Sequence, residues 1–173
     1  MNKGLILAAA ALAVAAAPAF AADEMALAQK SACTACHTVG GAGVGAVAAF
    51  VSDYLERAGL RVERQEVVPG RPNVVGVLPG TGGGRSLLWN GHMDTVGVAG
   101  MTIAPFEPRR DGDRVYGRGA MDMKGGLASL MAAAADLARS GPALSGDLLV
   151  AATMDEEYGS RGMEALVAGY RAD

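Results

Sequence analysis

The segment GDLLVAAT, Gly146–Thr153, most constrains how this chain can fold. From Leu148 to Ala152 it is apolar without alternation. A half-buried strand alternates polar and apolar residues, because successive side chains point to opposite faces of the sheet. An unbroken apolar run bounded by turn residues instead predicts a strand covered on both faces. Such a strand needs a layer of other elements on each side, so the chain must fold as a layered domain.

The rest of the pattern supplies those layers. Val47, Phe50, Val51, Tyr54, Leu55 and Ala58 fall at helical spacing, and Gly59 suits a C-terminal stop. LRVERQEVV alternates like a half-buried strand, NVVGVLPG predicts a second strand and turn, TGGG a loop, and RSLLWNG a buried strand. Residues 92–112 have no clear period and contain Pro105 and Pro108, which predicts a long functional loop. MDMKGGLASLMAAAADLARSGP predicts a helix, with Leu127, Leu130, Met131, Ala134 and Leu137 as a core stripe and Gly141-Pro142 as its end. SRGMEALVAGYRAD predicts a final helix. The order helix, three strands, loop, helix, strand, helix specifies a layered α/β domain. No internal repeat interrupts it.

With 173 residues, the chain is long enough for one domain and its core. A net charge of −3 leaves no basic face for nucleic acid. Arg109-Arg110 lies beside Asp111 and Asp113 and reads as a solvated loop. Residues 1–21 have the layout of a secretory signal peptide: Lys3, an apolar stretch from Gly4 to Ala17, Pro18, and Ala19-Phe20-Ala21 as an A-x-A cleavage site. The stretch is short and Ala-rich for a membrane anchor. Export to the periplasm, with no stable membrane span after cleavage, is the expectation.

Cys33, Cys36 and His37 spell C-x-x-C-H, the attachment pattern of a covalent haem c. A disulfide, a redox pair and half a zinc site compete with the haem reading, which the surrounding residues favour. Cys33 and Cys36 are the chain's only two cysteines, so a four-cysteine zinc site is excluded. The surrounding DEMALAQKSACTACHTVG resembles the N-terminal helix of small class I c-type cytochromes. By that resemblance, which covers residues 1–40, His37 would bind the haem iron. No Met occurs between His37 and Met93, so the usual distal ligand is missing. Residues 22–43 are therefore read as a cytochrome-like segment ending in the Gly-rich junction VGGAGVG, and residues 44–173 as a separate α/β domain.

Three stretches of that domain carry chemistry: GHMDT at 91–95, GRGAMDMKGG at 117–126 and DEEYGSRG at 155–162. Each follows a strand or opens a helix, where α/β folds gather ligand groups. His92 and Asp94 are two apart, so on extended backbone they point the same way. A carboxylate beside a metal-bound imidazole fixes its ring. Asp122 stands at a loop-to-helix junction, and Glu156-Glu157 at a strand end, where one can hold metal and the other face water.

These stretches resemble the zinc-dependent amidohydrolases and exopeptidases that include acetylornithine deacetylase, succinyl-diaminopimelate desuccinylase, aminoacylase and glutamate carboxypeptidase. The resemblance runs from about Val44 to Asp173. It implies part of a three-layer zinc-exopeptidase-like α/β domain, a mixed sheet flanked by helices. It further implies two zinc (or cobalt) ions, with His92 and Glu157 each binding one and Asp122 bridging both. Asp94 would orient His92, and Glu156 would be the general base. The implied reaction is hydrolysis of the amide of an N-acyl amino acid or peptide. A non-proline cis peptide at Asp122-Met123 is also implied. The family's later carboxylate and His ligands, and its lid and dimerisation domain, have no counterpart in this sequence. The chain is thus expected to be the first half of a catalytic domain, weak in zinc binding and turnover. Two other readings stand beside it: an exported haem electron carrier, and an inactive fusion or truncated remnant.

Overall fold

The structure, a computed structural model, describes residues 42–141 and 143–170. The signal-peptide segment and Cys33, Cys36 and His37 lie outside the described residues. Helix α1 (Ala42–Arg57) leads into β1 (Arg61–Val68), β2 (Arg71–Leu78) and β3 (Leu87–His92). A small hairpin, β4 (Arg109–Asp111) and β5 (Arg114–Tyr116), precedes a six-residue turn at Ala120–Gly125. Helix α2 (Gly126–Ser140), strand β6 (Leu148–Thr153) and helix α3 (Arg161–Gly169) follow.

The main sheet has the order β1-β2-β6-β3. β2 pairs antiparallel with both β1 and β6, whereas β3 pairs parallel with β6. The sheet is therefore mixed, and every residue of β6 is buried, as its apolar run requires. Successive residues of β6 serve opposite faces. Leu148, Val150 and Ala152 pack with Val47, Val51 and Leu55 of α1 and Leu127, Met131 and Ala134 of α2. Leu149 and Ala151 pack with Val75, Val77 and Leu166 of α3. The result is helices α1 and α2, sheet, helix α3: three layers.

Close packing fixes two small residues. A Cβ on Gly76 would stand 2.9 Å from Leu55 Cδ1, so glycine lets α1 settle onto β2. A Cβ on Gly162 would stand 2.7 Å from Asn73 Oδ1 and collide with the Met154 main chain. Fully buried Asn73 ties those layers together. Its amide donates to Gln65 Oε1 (2.9 Å) and Gly162 O (2.8 Å), and its Oδ1 accepts from Met154 N (3.0 Å). Tyr170 packs against the α3-side cluster. Burial first, then the nearby Glu63 carboxylate, pushes its phenol up to about 12.

Four expectations need correction. RSLLWNG is buried only in part: among the described residues β3 stands last in the sheet order, Leu87 is 54% exposed, Leu88 and Trp89 pack into the clusters on opposite faces, and Gly91 and His92 at its end are buried. Residues 92–112 are not all loop, since β4 begins at Arg109. The helix predicted from Met121 begins at Gly126, because Asp122 and Met123 leave helical backbone angles and are joined by the cis peptide. Finally, α1 begins at Ala42, inside the expected Gly-rich junction. Val44, 4% exposed, already belongs to the core and draws its first turn down. No helix among the described residues is long and apolar enough to cross a membrane.

Candidate metal centre

The parallel pairing of β3 with β6 aligns His92 with Thr153. The ladder continues one step further, Met93 N donating to Thr153 O at 2.8 Å. Both chains thus leave the sheet at the same end, where open α/β sheets bind ligands. Met93 and Met154, both fully buried, anchor the exits beneath the polar residues that follow.

His92 is 5% exposed. Its Nδ1 stands 3.0 Å from the main-chain carbonyl of Asp94. A carbonyl can only accept, so the proton of neutral His92 belongs on Nδ1, and Nε2 presents a lone pair. That lone pair faces Asp122 Oδ1 at 3.1 Å and Glu156 Oε2 at 3.8 Å. Two acceptors at such a distance need a cation between them, a proton or a metal ion. Bonds of about 2.0–2.1 Å at tetrahedral angles put neighbouring ligand atoms roughly 3.3 Å apart, so the pair fits a metal. Glu157 completes the group: ligand atoms of His92, Asp122 and Glu157 lie within 4.8 Å of one another. One nitrogen and two carboxylates form a donor set suited to zinc.

The Asp94 carboxylate lies behind His92, 3.7 Å from Nδ1, while the nearer contact to that nitrogen is Asp94's own main-chain carbonyl at 3.0 Å. The carboxylate itself accepts N–H groups from Glu156 on Oδ1 and from Glu157 on Oδ2, each at 3.1 Å. It is 6% exposed and ties the two motif loops together. Val96 N adds a longer bond to Glu157 Oε1 at 3.3 Å. The Asp122 and Glu156 side chains are 77% and 50% exposed, so they present their carboxylates to solvent.

Asp155 and Arg161 had no role in the sequence reading. Asp155 is 3% exposed and takes a left-handed φ of 66°. Its carboxylate accepts Arg161 Nε at 2.7 Å and Nη2 at 3.2 Å, with Arg71 Nη2 at 3.7 Å. The hydrogen bond from Arg161 holds the Asp155 carboxyl below the usual carboxylate range, against the opposing effect of burial. A signal existed in the motif itself, since a buried acid after an apolar strand requires a cationic partner. Which cation answers it depends on the turn.

Residues 88–173 match the family described as Peptidase family M20/M25/M40. The chain is 36% identical over 133 residues to N-formyl-4-amino-5-aminomethyl-2-methylpyrimidine deformylase of Bacillus subtilis, covering 73% of this chain and 31% of that protein. It is 40% identical over 119 residues to succinyl-diaminopimelate desuccinylase of Methylorubrum extorquens, covering 65% of this chain and 31% of that one. The chain therefore spans about a third of the length of these relatives. In fold it resembles the M20 family metallo-carboxypeptidase Sso-CP2 of Sulfolobus solfataricus, with a TM-score of 0.73 at 22% identity over 87% of this chain and 36% of that one. Human carnosine dipeptidase 1 superposes with a TM-score of 0.66 at 22% identity, covering 85% of this chain and 35% of that one.

Proposed function

Residues 88–173 belong to the M20/M25/M40 peptidases, and from that premise we propose that this chain carries metal-binding and proton-transfer groups of an enzyme hydrolysing amide bonds in small N-acyl amino acids or peptides. The observation that carries the reading is the lone pair of His92 Nε2 facing Asp122, with Glu157 completing the group. Two relatives, by their names a deformylase and a desuccinylase, support an N-acyl substrate.

His92, Asp122 and Glu157 are the proposed holders of two zinc (or cobalt) ions, with Asp122 shared between them. When bound, the metal supplies a Lewis acid that polarises the amide carbonyl and acidifies a water. Glu156 would serve as the base, accepting a proton from the attacking water and delivering it to the leaving nitrogen. Its half-exposed carboxylate beside His92 Nε2 suits the role. Asp94 holds the main chain of both glutamates, and so sets the base and the ligand together. Export to the periplasm remains the proposal for its location, on the strength of residues 1–21.

The test is metal stoichiometry by equilibrium dialysis, with hydrolysis of N-succinyl and N-formyl substrates followed in parallel. His92→Ala and Glu157→Ala should lose bound zinc. In a chain extended with the family's later ligands and lid, Glu156→Ala should keep zinc and lose turnover. Full zinc binding by His92→Ala would refute the site, and unchanged turnover in Glu156→Ala would remove Glu156 as the base.

A further inference from the structure

We propose that Arg161 is a positioning residue which, through Asp155, locks the turn that presents Glu156 and Glu157. The inference rests on the proposed reading of those glutamates as base and ligand.

The turn from Asp155 to Ser160 is closed by its own main chain: Asp155 O accepts from Gly159 N at 3.2 Å and Ser160 N at 2.6 Å. Both ends adopt left-handed backbone without being glycine, with φ of 66° at Asp155 and 53° at Ser160. These are the two such residues among those described. That conformation is costly for side-chain-bearing residues and persists where surrounding contacts over-determine it. Asp94 fixes one side of the turn through the N–H groups of Glu156 and Glu157. The other side is fixed by the two-point contact of Arg161 with the Asp155 carboxylate. A guanidinium suits this contact because its planar fork meets both carboxylate oxygens at once, which an ammonium cannot do. Gly159 leaves the room: a Cβ there would stand 2.9 Å from Asp155 Oδ2.

Arg161 begins α3, and α3 is seated on the sheet by Leu166 and by Asn73 through Gly162. The helix is thus a fixed post, and Arg161 is the arm that carries its position to the glutamates. Arg161 itself touches none of the proposed ligands, so its influence is felt as ligand geometry.

The experiment compares Arg161→Met and Arg161→Lys with the unaltered 173-residue chain. Amide hydrogen exchange at 156–160 is read without metal, and cobalt(II) affinity and visible absorption are read with it. Arg161→Met should speed exchange at 156–160 while leaving β6 protected. Its cobalt affinity should fall roughly tenfold, the scale seen when groups orienting a ligand are lost, with an altered absorption band at saturation. Arg161→Lys should fall between. Unchanged exchange and unchanged affinity in Arg161→Met would overturn the proposal. So would exchange raised equally across the whole sheet, which marks a general loss of stability. If the unaltered chain takes up no cobalt, the metal reading fails, and exchange at 156–160 alone decides whether Arg161 holds the turn.

Discussion

Replacing Asp94 by Asn isolates the bond that joins the two motif loops. The side chain keeps its shape, but a carboxylate that accepts two N–H groups becomes an amide that can accept with one atom only. Glu156 N and Glu157 N each stand 3.1 Å from a separate Asp94 oxygen. In Asp94→Asn one of those N–H groups must face an NH2 donor. Losing a hydrogen bond to a charged acceptor costs about 1.5–3 kcal/mol. Each ~1.4 kcal/mol is a factor of ten in affinity. If that energy orders Glu157 for its ligand role, zinc affinity should fall roughly 10–100-fold, the range measured for groups behind metal ligands. Competition against a chromophoric chelator reads the affinity directly. His92 should be little disturbed, because its Nδ1 bond goes to the Asp94 carbonyl, which the substitution keeps. An affinity within about threefold of the parent, ~0.7 kcal/mol, would refute the coupling of the Asp94 carboxylate to the glutamates. A lowered melting temperature with that same affinity would show that the bonds serve the fold alone.

Gly162→Ala should lower Tm by roughly 2–12 °C in a circular-dichroism melt, from the about 1–3 kcal/mol of an overpacked contact, because the new methyl meets Asn73 and the Met154 main chain. Asn73→Ala strands the Met154 N–H and the Gly162 carbonyl. At about 1–3 kcal/mol per unsatisfied group, the urea midpoint should fall markedly, and an unchanged midpoint would deny the bridge. Tyr170 has a folded pKa of about 12, raised above the ordinary 10. The folded state therefore favours the neutral phenol, and its contribution is complete below pH 10 and is lost as pH rises through 12. Tyr170→Phe should flatten the decline of Tm with pH across that window, and an identical decline in both chains would refute the assignment.

Much of this protein was determined along the chain itself. The unbroken apolar run of β6 required cover on both faces, and the neighbouring periodic segments supply it. His92, Asp122 and Glu157 were singled out by the resemblance of three short stretches to a metallohydrolase family, and the fold brings their ligand atoms within 4.8 Å of one another. Side-chain alternation could not decide which strands pair: β6, late in the chain, lies between β2 and β3, since strand order depends on pairing between distant segments. Nor could it decide what Asp94 does. Spacing alone brings its carboxylate toward His92, but its partners are N–H groups more than sixty residues away, placed there by the parallel register of β3 on β6. Arg161 and Asn73 were silent for the same reason. Each acts through a contact whose partner is fixed by how a helix seats on a sheet, and that seating is set by packing energy summed over the whole core. Sequence determined which chemistry was available and which segments had to be covered; tertiary structure decided which acceptor met which donor, because hydrogen bonds depend on ångström distances that only the assembled layers define.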